Sequence, residues 1–261
     1  MKKIILSIIA LVAITMSVSA QKYVVVYDKS GNRLNTYPSK DVGKVDFIKD
    51  PYNGHEYVDL GLSVKWATCN VGASKPEEYG DYFAWGEVAP YYTGSAWSTS
   101  TTWGGTSTAK TGYDWNNYCG NSEFTEWSTA PYDASTKVLT STFDAATANW
   151  GSKWRMPTYA EWSELLNNSN CSWTWTTQNG VNGYKVQSLK SGYTDKYIFL
   201  PAAGCRYGSS LGDAGSDGFY WSSSLDESNS SNACRLYFSA GYVSTADNYR
   251  YFGKSVRAVC P

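Results

Sequence analysis

The stretch FYWSSSLDESNSSNACRLYFSAGYVSTADNYRYFGKSVRAVC, Phe219 to Cys260, sets an apolar skeleton against Tyr, Ser, Asn, Asp, Thr and Arg. Period-2 alternation places Cys234, Leu236 and Phe238 on one side of a strand and Arg235, Tyr237 and Ser239 on the other. Tyr mixed with Ser, Asn and Gly is also the composition of antibody paratopes, where rigid amphipathic rings supply area and small polar groups supply adaptable hydrogen bonds. The segment therefore predicts a binding face built on a strand scaffold.

Upstream, the pattern predicts strands at Gly183 to Leu189, Tyr197 to Leu200, Phe219 to Ser222, Ala233 to Ser239 and Ser255 to Cys260. Two helices precede them. Phe143 to Trp150 stops at Gly151, and Tyr159 to Asn167 starts after Pro157 with Thr158 as N-cap, Glu161 as its capping-box partner and Trp162, Leu165 and Leu166 as the buried stripe. His55 to Ala73 reads as a hairpin turning at Gly61, and beyond Glu87 a Ser-, Thr-, Gly-, Trp- and Tyr-rich stretch reads as a long loop region. Two short helices amid strands and long loops predict an α+β domain.

The N-terminus, MKKIILSIIALVAITMSVSA, has two lysines, a short apolar run and small residues before Gln21, the pattern of a secretory signal peptide cleaved after Ala20. No cysteine stands at that junction, which argues against a lipid anchor, and no later segment is apolar enough to span a bilayer. Residues 1–20 are thus a leader, 21–50 a small β-hairpin module with a turn at Ser30-Gly31-Asn32, and 51–261 the main domain, with Asp50 to Gly54 as the hinge. The chain carries 22 basic against 23 acidic residues, and two of its lysines lie in the leader, a balance that argues against nucleic acid as partner. An exported chain can keep disulfides; its six cysteines (Cys69, Cys119, Cys171, Cys205, Cys234, Cys260) either pair or serve as buried small hydrophobes.

GHEYVDLGLSVKWATCNVGA, YGDYFAWGE, WGSKWRMPTYAEWSELL, IFLPAAGCRYG, GFYWSSS and GKSVRAVC, in that order, resemble the motifs of the Fibrobacter succinogenes major paralogous domain family of exported bacterial proteins, over Asn53 to Cys260. WRMPTYAEW is also similar to an element of formylglycine-generating enzymes, and SVRAV to their terminal strand. Both resemblances imply a C-type lectin-like fold of two helices and small twisted antiparallel sheets with long loops, with Arg155 and Arg257 as structural partners of acidic or carbonyl groups. The frame AxxLxFxxGxVxxxxxxRxxGxSVR resembles the variable region of proteins diversified by retroelements, in which randomised asparagine codons rarely yield Lys, Glu, Gln, Met or Trp; Ser228 to Gly253 contains none of these.

Catalytic signals are sparse. His55 is the only histidine, which removes two-histidine metal sites and leaves a histidine-based catalytic pair dependent on a residue at a domain edge. Cys234 and Cys260 do not sit in the cysteine motif of formylglycine-generating enzymes, so oxidase activity does not transfer from that resemblance. Asp213, Asp217, Asp226, Glu227 and Asp247 supply carboxylates for a calcium site, but the sugar-binding triplets of calcium-dependent lectins are missing, and no cofactor is expected. Trp97, Trp103, Trp115, Trp127, Trp173 and Trp175 lie in polar surroundings, open to stacking on a sugar or on a neighbouring loop, whereas Trp66, Trp85, Trp154, Trp162 and Trp221 read as core. The expected function is non-catalytic recognition of a protein or glycan at a cell surface, through Arg235, Tyr237, Tyr242, Asp247, Asn248, Tyr249 and Tyr251. The competing readings are a formylglycine-generating-type oxidase and a structural envelope protein.

Overall fold

The computed structural model describes residues 23–27, 32–38, 52–93, 96–97, 101–103, 106–108, 110–119 and 130–261. The leader over residues 1–20 lies outside them, as does Trp127. The chain divides into two compact units, Met1–Gly54 and His55–Pro261. In the first, β1 (Tyr23–Tyr27) pairs antiparallel with β2 (Arg33–Pro38), Tyr23 opposite Pro38.

The second unit opens with β3 (Tyr57–Val58) and β4 (Lys65–Asn70), followed by the small hairpins β5 (Tyr92–Thr93) with β6 (Ala96–Trp97) and β7 (Thr101–Trp103) with β8 (Thr106–Thr108). Then come α1 (Ala145–Trp150) and α2 (Tyr159–Leu166), and the strands β9 (Cys171–Gln178), β10 (Val181–Ser188) and β11 (Tyr197–Pro201). The C-terminal third holds β12 (Cys205–Tyr207), β13 (Ser210–Gly212), β14 (Asp217–Leu225), β15 (Asn232–Ser239), β16 (Tyr242–Tyr249) and β17 (Arg257–Cys260). Three three-stranded antiparallel sheets result, ordered β11-β10-β9, β14-β15-β16 and β17-β4-β3.

The expected α+β class with a C-type lectin-like domain is overturned: strand makes up 44% of the structure and helix 9%, in several small antiparallel sheets, so the chain is mainly β. The reasons are local. The two α-helices are only six and eight residues long, and the Ser/Thr/Trp/Tyr-rich stretch after Glu87, expected to be loop, forms β5 to β8. Cys171–Gln178, which carries Trp173 and Trp175, is a strand because Asn179-Gly180 closes a two-residue hairpin onto β10; both turn residues have positive φ, 48° and 84°, as such tight turns require. Its β-branched and aromatic residues suit a half-buried pleated surface.

The main core gathers Trp66, Trp162, Leu165, Tyr184, Val186, Leu200, Tyr220, Leu236, Phe238 and Val259, with Trp173 and Trp175 packed against it. A second cluster of Tyr82, Tyr91, Tyr113 and Tyr118 takes Trp97 and Trp115 on its margin. Trp66, Trp85, Trp154, Trp162 and Trp221 are buried. Indole N–H groups also fix position: Trp85 donates to the Ser222 carbonyl at 2.9 Å and Trp221 to that of Phe83 at 2.8 Å, holding β14 in place.

Both arginines of the C-terminal and helix motifs are structural. Arg257, fully buried, donates to the carbonyls of Ala67 (2.9 Å), Thr68 (2.8 Å) and Phe199 (2.9 Å) and to Asn70 Oδ1 (2.9 Å), tying β17 to β4 and β11. Replacing it with Leu strands these acceptors at about 1–3 kcal/mol each. Urea unfolding of Arg257→Leu is expected to show a loss of roughly 4 kcal/mol, near the limit a single domain tolerates. Arg155 Nη1 bonds Glu161 Oε2 at 2.7 Å, while Glu161 also accepts from the Thr158 backbone N–H (2.8 Å) and the Thr158 side chain caps Glu161 N (3.2 Å). Burial acts to raise the Glu161 carboxyl, yet the Arg155 guanidinium and the cap hold it below its usual value. A depressed carboxyl stabilises the fold above its unfolded pKa and loses that contribution as pH falls through the folded one. Glu161→Gln should therefore be less stable than wild type by roughly 1–2 kcal/mol at pH 7, and the gap should close below about pH 4 in thermal melts across pH.

Candidate ligand-binding face

The sheet β14-β15-β16 carries the residues singled out in the sequence. Its hairpin turns at Ala240-Gly241, with Gly241 at φ 84°, and Tyr184 pins the turn by accepting from Gly241 N (3.0 Å) and donating to the Ser239 carbonyl (3.2 Å). Beneath, Gly218 leaves room for the Phe238 ring, since a Cβ there would come within 2.0 Å of Phe238 Cζ. Leu236 and Phe238 are fully buried, so this face of β15 belongs to the core.

Strand register sorts the predicted residues. Arg235 stands opposite Trp221 and Ala246, Tyr237 opposite Phe219 and Ser244, and Ser239 opposite Asp217 and Tyr242. Arg235, Tyr237 and Tyr242 therefore share the face away from Leu236 and Phe238, as does Asn248, opposite Ala233. Asp247 and Tyr249 stand opposite Cys234 and Asn232, on the other face by the same parity. Asp247 accepts from Asn232 Nδ2 at 2.6 Å at the strand end. Tyr249 instead stacks on Tyr251 (5.5 Å, 14°), which continues to Phe252 (4.9 Å, 18°), and Phe252 to Tyr207 (5.1 Å, 25°). The seven residues thus fall into two groups, Arg235–Tyr237–Tyr242 near the hairpin turn and Tyr249–Tyr251 at the far end, with Asn248 and Asp247 along the edge strand between. The second group includes Tyr207 and Phe252, which the sequence reading passed over; Tyr207 sits in a short strand without visible periodicity, and only its ring stacking marks it.

In the first group Tyr237 packs on Phe219 (5.1 Å) and Tyr242 (5.8 Å), and its hydroxyl donates to Asp217 Oδ1 at 3.0 Å. The Arg235 guanidinium lies 5.0 Å from the centroids of both Phe219 and Tyr237. Behind it, Lys254 is fully buried, its Nζ 4.2 Å from the Trp221 ring and 4.4 Å from Phe252. Among the described residues, Lys254 Nζ and Arg235 Nε and Nη1 have no hydrogen-bond partner. Cys205 feels both charges; burial raises its thiol pKa while Lys254 pulls it back. Burial lowers Arg235 and holds Lys254 well below its usual range.

Asp217, Asp226 and Asp247, three of the acidic residues weighed as calcium ligands, accept hydrogen bonds from neighbouring side chains or backbone. Asp217 takes Tyr237 and Ser216 (2.7 Å), and Asp226 takes the Ser228 N–H (2.9 Å) and hydroxyl (2.8 Å). No three His, Cys, Asp or Glu residues converge among the described residues. His55 stacks on Trp150, ring centroids 3.8 Å apart. Cys69, Cys171, Cys205, Cys234 and Cys260 are free thiols. Burial pushes Cys171 and Cys234 up to about 11 and raises Cys260. A separate shallow depression is lined by Lys75, Glu77, Glu78, Tyr79, Asn179 and Val181, and in its wall Glu77 accepts from Asn179 (2.9 Å) and so holds the β9–β10 turn.

Residues 188–259, spanning β11 to most of β17 and the whole of this face, match a family described as a Domain of unknown function (DUF8237). No curated protein and no solved structure matches the chain.

The buried ammonium carries a measurable signature. A lysine whose folded pKa is depressed binds fewer protons than in the unfolded chain between the folded value and about 10.4, so stability rises with pH across that window. Lys254→Met should flatten this rise in thermal melts on the approach to about pH 10, below which the depressed ammonium sets the window; an unchanged slope would show that the ammonium keeps its normal pKa when folded.

Proposed function

We propose that this chain is an exported, non-catalytic recognition protein that takes a protein or glycan ligand on the β14-β15-β16 face and the adjoining ring stack. The observation that carries the reading is the exposure of large rings where a folded core has no use for them: Tyr207 is 58% exposed, Tyr242 55% and Tyr249 49%. Each belongs to a ring cluster whose other members are held in place, so the rings are preorganised and lose little rotamer freedom on binding. Ser244, Ala246 and Asn248 on the edge strand are short and half-buried, leaving space beside Arg235 and Tyr237. The raised thiols of Cys171, Cys205, Cys234 and Cys260 weigh against thiolate chemistry, since a thiol oxidase needs a low-pKa cysteine.

Binding in this scheme comes from aromatic area with polar contacts around it, and a few rings carry most of the energy. The triple change Tyr237→Ala, Tyr242→Ala, Tyr249→Ala should reduce retention on a glycan array or on cell-envelope preparations by a factor of about ten or more, the scale set by losing hot-spot side chains. Far-ultraviolet circular dichroism checks that the sheet survives. Retention that persists in the folded triple variant assigns recognition elsewhere.

A further inference from the structure

Arg235 lies near the fully buried Lys254, and neither forms an ion pair among the described residues. The nearest carboxylates are engaged: Asp217 accepts from Tyr237 and Ser216, and Asp247, next to the Ala246 that faces Arg235 but on the other side of the strand, accepts from Asn232. Withdrawing a cation from water without a counter-charge is unfavourable, and the π faces of Phe219, Tyr237, Trp221 and Phe252 offset only part of that cost. Two donors of Arg235 and the Lys254 ammonium remain without hydrogen-bond partners among the described residues.

The surroundings select the form an anion would take. On the edge strand the residues beside Arg235 and Tyr237 are Ala246 and Ser244, so the strip next to the guanidinium is low, and the exposed Tyr242 ring rises at its end. A flat ring with polar edges fits such a strip by stacking on tyrosine while a carboxylate meets the guanidinium.

We infer that the strip formed by Arg235, Tyr237, Tyr242, Ser244 and Ala246 binds a saccharide that carries a carboxylate, such as a uronate residue. Arg235 supplies the positive charge that pairs with the carboxylate. The inference rests on the recognition reading of this face and adds the charge and ring character of the ligand.

The test is calorimetric titration of the folded full-length protein with tri-galacturonate, its methyl ester and a penta-glutamate peptide. Tri-galacturonate should bind with an affinity that falls as salt rises, as expected of a partly exposed ion pair. The uncharged ester should bind at least tenfold more weakly, a comparison that needs no variant. Arg235→Gln should lose about tenfold or more in affinity for tri-galacturonate, the order expected when a charge-assisted pair is removed. Ala246→Glu, which sets an internal carboxylate directly across from Arg235, should lose as much while leaving the guanidinium in place. Equal binding of acid and ester, binding of penta-glutamate in place of the saccharide, undiminished binding by Arg235→Gln, or no binding of any probe each overturns the proposal. Neutral glycans retained by wild type and lost in the tyrosine triple variant would leave the recognition face standing without its acid-binding strip.

Discussion

Everything in the second unit hangs on the last eight residues before Pro261. Gly253 exchanges backbone hydrogen bonds with Arg206, Lys254 with Phe83, and Val259 with Arg155; Ser255 accepts from Trp221, and Val256 from Val71. Arg257 adds side-chain bonds to β4 and to Phe199 in β11. One extended segment thus touches β4, β11, β12, β14, the Phe83 loop and the entry to α2, none of which pairs with all the others. Small separate sheets do not bury enough surface to stand alone. A buried guanidinium with several planar donors suits the junction because it can satisfy carbonyls of different strands at once, where a hydrophobic side chain would leave each without a donor.

The same segment sets the electrostatics of the candidate face. Several basic side chains in the C-terminal third lie over rings: Arg206 is 4.0 Å from the Tyr92 ring centroid, Arg235 lies over Phe219 and Tyr237, Arg250 over Trp85 and Tyr118, and Lys254 between Trp221 and Phe252. Ion pairs form elsewhere, at Lys75–Glu78, Arg155–Glu161 and Lys196–Asp195. Packing against rings keeps a cation partly dehydrated without cancelling its charge, whereas an acid partner would cancel it. Arg235 keeps its charge for that reason, although the chain as a whole has a formal charge of −1.

How much of this could be read beforehand depended on whether the signal was local. The Thr158–Glu161 cap, the five core tryptophans, the Tyr57-to-Ala67 hairpin and β15 each follow from residues a few positions apart, and each is found as expected. The fold class did not follow, because helices of six and eight residues weigh little once Cys171–Gln178 and Tyr242–Tyr249 prove to be strands. In β9 the polar Thr174, Thr176 and Thr177 around Trp175 masked a strand that the Asn179-Gly180 turn declares. β16 is an edge strand of half-buried residues, so its pattern lacks the strict apolar alternation of β15. The separation of Asp247 and Tyr249 from Arg235 and Tyr237 was also illegible, since it follows from the Ala240-Gly241 register and not from spacing along the chain.

That register bears on what can bind. The eight residues of β16 span about 23 Å, so the Tyr242 end and the Tyr249–Tyr251 stack are too far apart for one mono- or disaccharide. The two ends also differ in kind. Near the hairpin turn a guanidinium sits among rings beside short side chains, while at the far end Tyr249, Tyr251, Phe252 and Tyr207 form a run of nearly parallel rings. Beyond the irregularity between Trp221 and Leu225, both Leu225 and the facing Ala233 are buried, which closes part of the face between them. A ligand that engaged both ends would have to be an extended polymer or a macromolecular surface running along the exposed side of β16. A short acidic saccharide would engage the Arg235 end alone, and loss of Tyr249 would then leave its affinity untouched.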